Sequence, residues 1–197
     1  MRKNNRERIL DTARRLLPKH GYNGVSIRAI AHRAKLTTGA IYFHFRDKKE
    51  IYRTICFEAI DILMRNFRER IQQRRTPSQK LISIFDSYID FFYRYRERYN
   101  ILMEYKADYQ AEQGCDDAIM RRMGEMTGIM EDTIRSGIDE GSFRGLDPRK
   151  LALLLFSVAE GMLQVKKLGL FDHLGVSDGE FRSFMADVIG NGIMKKD

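Results

Sequence analysis

Apolar residues recur three and four positions apart along most of this chain, the spacing of one face of a helix. Ile9, Leu10, Ala13, Leu16 and Leu17 form the first stripe, in a helix predicted over Arg6–Lys19 that Pro18 should distort and Gly21 should end. Ser26 stands as N-cap before a short helix to Ala34, with Ile27, Ile30, Ala31 and Ala34 on one side. Lys35, Leu36 and Thr37 make a turn. A second short helix, Thr37–Phe45, then opens on a hydroxyl cap and buries Ala40, Ile41 and Phe45. Its other side offers small and hydrogen-bonding groups, Thr38, Gly39, Tyr42 and His44. Two short amphipathic helices joined by so few residues are a helix-turn-helix, whose second helix is shaped to enter a DNA groove.

The stripes continue behind it. Asp47 and Glu50 are placed as a capping pair for a long helix reaching toward Ile71. Further helices are predicted over Pro77–Arg96, Tyr99–Tyr109, Ala118–Glu140, Pro148–Leu168 and Asp178–Met194. Pro148–Leu168 is apolar nearly all round, so its own body cannot cover all of it. Together with Asp178–Met194 it suits a four-helix interface with a second copy. Val is rare and there are only 3 Pro, which also tilts the reading away from sheet. The expectation is an all-α chain of about nine helices, with a three-helix head over residues 1–52 and a helical body over residues 53–197.

Charge sharpens that division. Residues 1–53 hold 14 Lys and Arg against 4 Asp and Glu, a net +10, while the remainder holds 21 against 23, a net −2. A basic head on a near-neutral body points to a polyanion partner, double-stranded DNA.

The order Ser26, Ile30, Ala31, Ala34, Leu36, Thr37, Gly39, Ile41, Tyr42, His44, Phe45, Lys48 and Ile51 resembles the N-terminal signature of the tetracycline-repressor (TetR) family, over about Arg6–Tyr52. The family often has Gly where this chain has Lys35. If that residue is left-handed, Lys costs on the order of 1 kcal/mol more than Gly. The resemblance implies a dimeric regulator, usually a repressor, that reads a palindromic operator and is released by a small molecule bound in the body. It implies that Thr38, Gly39, Tyr42 and His44 face the groove after the Thr37 cap. Arg28 projects from the helix before, and Ser26 and Lys48 hold the DNA backbone. The dimer is expected through the helices around 148–168 and 178–194.

For an effector, the body offers Tyr88, Phe92, Tyr105, Met123, Met126 and Phe156 as apolar or aromatic walls, with Glu160 as a polar member. No catalytic constellation stands out. His20, His32, His44 and His173 lack metal-ligand spacing, there is no phosphate-binding glycine loop, and no cofactor is implied. Cys56 and Cys115 read as free thiols. No apolar run reaches membrane length and the N-terminus lacks the core of a signal peptide, so the cytoplasm is the expected location. Two other classes stay open: a sequence-tolerant DNA-organising protein without effector, and a helical enzyme or carrier.

Overall fold

The computed structural model describes residues 4–103 and 117–195, and ten helical segments carry the fold. The described residues fall into two compact units, those within Met1–Ile62 and Arg94–Met123, and those within Leu63–Tyr93 and Gly124–Asp197. None of the described helices is long and apolar enough to cross a membrane.

The first unit opens with α1 (Asn5–Gly24), capped by the Asn4 side chain. Pro18 does not end it. The break comes at Gly21, whose φ of 65° lies in the left-handed region, and one further turn follows. Next come α2 (Ile27–Ala34) and α3 (Thr38–His44). Ile9, Leu10, Ala13, Ile30 and Ile41 are fully buried among these three helices or nearly so, as the stripes require. The long helix α4 (Lys48–Gln72) gives residues 48–62 to this unit and 63–72 to the other. Asp47 accepts from the Glu50 backbone N–H at 2.7 Å, and Glu50 returns to the N–H of Arg46 at 2.7 Å, a residue earlier than an ordinary capping box. Arg14, 8% exposed, ties α1 to α4 through Glu58 and also pairs with Glu7 and Asp11. Burial alone would lower the Arg14 pKa. The carboxylates outweigh it and raise the value, holding the guanidinium charged.

The second unit is built from α5 (Pro77–Arg94), the later part of α7 (Asp117–Asp139), α8 (Pro148–Lys167), α9 (Leu170–Leu174) and α10 (Asp178–Ile193). Between α5 and α7, residues 96–103 are helical and are taken as α6. The remainder of the helix expected over 99–109, the loop after it and Cys115 lie outside the described residues. The short α9 has no counterpart in the hydrophobic pattern. It is bracketed by Gly169 and Gly175, both left-handed, and anchored by Phe171 against Phe181 at 5.0 Å between ring centres.

Close packing fixes the end of α7. A Cβ at Gly137 would collide with the ring of buried Phe143 and lie 2.9 Å from the Cβ of Pro77. Phe143 in turn bridges to Met194, and Arg144 donates to the carbonyls of Ile193 and Gly192. The end of α10 is thereby tied to the turn that follows α7. On α8, Leu151, Ala152, Leu155, Ala159, Met162 and Leu163 are buried, while Leu153 and Leu154 stay 61% and 57% exposed. This second apolar face is the one the sequence leaves without cover.

Candidate nucleic-acid interface and body cavity

The helix-turn-helix is held by local chemistry. Ser26 Oγ accepts from Ala29 N at 3.1 Å and Thr37 Oγ1 from Ala40 N at 3.1 Å, so both hydroxyls act as helix caps. Lys35, at the C-cap of α2, adopts φ 52° and ψ 48°, and is the sole non-glycine residue with positive φ among those described. Its N–H reaches the His32 carbonyl at 3.1 Å, and Arg8 of α1 donates to the Ala34 carbonyl at 2.7 Å. These bonds satisfy carbonyls that a helix end would otherwise leave open. Ile41 and Phe45 anchor α3 from below, and the Arg6 guanidinium lies 5.2 Å from the centre of the Phe45 ring.

What remains outside is the expected face. Arg28, Thr38 and Gly39 are exposed, Tyr42 is 57% exposed and His44 is half-buried. Nothing among the described residues requires Gly39, since a Cβ there would meet only Thr37 Oγ1 at 3.9 Å. Lys48 has a further engagement. Its ammonium donates to the Tyr22 carbonyl at 2.7 Å and sits 4.0 Å from the centre of the Tyr22 ring, which packs edge-on against Tyr52 at 4.9 Å. Phe43 was not anticipated. It is 84% exposed, the most solvent-open large apolar residue of α3, with its ring 5.1 Å from His44. Its signal was an aromatic falling off the apolar stripe of Ile41 and Phe45.

The sequence profile of bacterial regulatory proteins of the tetR family matches residues 9–55, which span this whole arrangement. The chain belongs to the TetR family. The transcriptional repressor KstR2 of Mycolicibacterium smegmatis is similar, at 22% identity over 71% of this chain and 67% of its own length. The transcriptional regulator AcrR of Shigella flexneri is 44% identical over 50 residues, 25% of this chain and 23% of its own. The solved ketosteroid regulator KstR2 of Mycobacterium tuberculosis superposes with a TM-score of 0.70 at 19% identity, over 100% of this chain and 98% of that one. This chain is thus a DNA-binding transcriptional regulator, and its relatives are regulators rather than enzymes.

TetR-family regulators bind small-molecule effectors as well as DNA operators. Here the second unit holds a partly open cavity of about 270 Å3. Tyr88, Met126 and Phe156 line it, and the Tyr88 hydroxyl donates to Glu160 at 2.5 Å. Glu160 thus stands behind the wall rather than on it. Phe92 is buried, with its ring 5.1 Å from Tyr93, and does not reach the cavity. Met123 belongs to the first unit, and Tyr105 lies outside the described residues. Two lining residues that sequence reasoning passed over are charged, Asp86 on α5 and Arg182 on α10, and they pair with each other. Each sits on the same helix face as apolar liners, Ile82 before Asp86 and Ala186 after Arg182, and that spacing was the available signal.

Proposed function

We propose that this chain is a repressor that binds a palindromic operator as a homodimer and leaves it when an apolar or aromatic small molecule fills the body cavity. Residues 1–52 read the DNA, and residues 53–197 bind the effector and dimerise. The observation that carries this is the outer face of α3. Thr38, Gly39 and Tyr42 are all turned outward from a firmly anchored helix. Thr38 suits a base edge or a thymine methyl, Gly39 allows close approach, and Tyr42 and His44 suit phosphates. Arg28, Ser26 and Thr37 flank them, with Lys48 in the first turn of α4.

Dimerisation is supported by apolar side chains left in solvent on two helices. They are Leu153 and Leu154 of α8, and Phe184 and Val188 of α10, each more than half exposed. A dimer of heads fits half-sites about 34–36 Å apart, so a modest change in their separation ends simultaneous contact. The protein works in the cytoplasm, where its DNA is.

The test is selection of bound sites from a random DNA pool with purified protein. A recovered palindrome supports the reading, and Tyr42→Ala should then weaken binding to it by about tenfold or more. Recovery of no consensus would favour a sequence-tolerant DNA-organising protein instead, in which the basic head supplies affinity without discrimination.

A further inference from the structure

Two helices run side by side along the cavity in opposite directions. Asp86 of α5 meets Arg182 of α10 at one end, and Ser78 of α5 meets Met194, beyond the end of α10, at the other. All four residues line the cavity. From Ser78 to Asp86 is eight residues of helix, a length of about 12 Å. Between those ends the walls are apolar, with Ile82 and Phe85 on α5 and Ala186 and Ile189 on α10. The cavity is therefore elongated and carries its charge at one end.

The polar groups there favour a donor role. Arg182 is about one third exposed, and its ion pair with Asp86 runs through Nη2. A guanidinium has five N–H donors in a planar fork and can hold a second carboxylate on another edge. At the opposite end Ser78 spends its proton on the Met194 thioether at 3.4 Å, a weak acceptor. Asp86 is also about one third exposed, so water can take it up if a better-placed anion displaces it from Arg182.

We infer that the effector is an elongated amphipathic carboxylate, its apolar chain lying between α5 and α10 and its carboxylate on Arg182. This rests on the reading of the cavity as the effector site. A neutral apolar molecule would leave the ion pair intact and gain nothing from it. A carboxylate gains a charge-assisted, bidentate contact while its chain leaves water.

The test is calorimetric titration of the full chain with decanoate and with 1-decanol, which share a chain and differ in the head. Decanoate should bind wild type about tenfold or more tighter than decanol. Arg182→Gln should erase that preference and leave decanol binding unchanged. Asp86→Asn should raise decanoate affinity severalfold, because it removes the competing carboxylate. Ala186→Phe, at an exposed position on the wall, should block both ligands, with circular dichroism showing that the variant remains helical. Equal binding of the two probes, or a carboxylate preference that survives Arg182→Gln, would overturn the anionic head and leave the cavity as effector site. Failure of both probes to bind, or binding untouched by Ala186→Phe, would overturn the cavity reading and the inference with it.

Discussion

Two glycines show how differently the head and the body use the same residue. In α3, a Cβ at Gly39 would meet only a hydroxyl 3.9 Å away. In α7, a Cβ at Gly137 would collide with Phe143 and crowd Pro77. Both positions carry a helix penalty of roughly 0.5–1 kcal/mol relative to Ala. In the body that cost is offset inside the molecule, by an aromatic ring packed against bare backbone. In the head nothing among the described residues offsets it, which directs attention to what lies outside. On the proposed function, the head works through what its surface leaves open. Structure in the body is carried by what is filled, and the proposed effector would take a cavity that is not.

The largest effect should come from Gly137→Ala. It forces Phe143 or the backbone to move and should lower unfolding free energy by about 1–3 kcal/mol in urea titrations. If it costs nothing, the contrast between the two glycines collapses. Gly39→Ala should do the reverse. Its stability should be unchanged or raised by up to roughly 1 kcal/mol, while operator affinity falls about tenfold in a mobility-shift titration. Lost stability with intact DNA binding would show that Gly39 serves the fold after all. A smaller gain is expected from Lys35→Gly, which relieves a left-handed lysine and should raise stability by somewhat less than about 1 kcal/mol, because glycine also loosens the unfolded chain.

The smallest effect is confined to acid. Burial works to raise the Asp178 pKa, but hydrogen bonds from Lys166, at 2.7 Å, and from Tyr93 outweigh it and hold the carboxyl below its ordinary 3.8. A depressed carboxyl contributes stability that is present above its unfolded value and lost as pH falls through the folded one. Asp178→Asn should therefore leave the acid limb of the stability curve, below about pH 4, flatter than in wild type. An unchanged acid limb would mean that the cluster at the start of α10 contributes nothing to acid stability.

How much of this was legible beforehand follows the same contrast. The head was readable residue by residue, because caps, stripe and turn are local: Ser26, Thr37, Ile30 and Ile41 each act within one or two turns of their own helix. The body gave up its helices but not its cavity. Tyr88 and Phe92 look alike in a sequence. Only the rotation of α5 against its neighbours separates the wall residue from the core residue. Asp86 and Arg182 are far apart in the chain, and no local pattern joins them. The short α9 escaped because five residues between two glycines are too few to show a period.

The engagement of Arg6, Arg8 and Arg14 with Phe45, the Ala34 carbonyl and three carboxylates has a consequence for the thermodynamics of DNA binding. Each phosphate that a protein cation neutralises releases condensed counterions, and log Kobs falls with log salt at a slope of about −0.9 per phosphate. A cation already committed inside the head releases none. The ionic-strength dependence of this regulator should therefore be distinctly shallower than a tally of its basic residues implies. A correspondingly larger share of its affinity would have to come from contacts that salt does not dissolve.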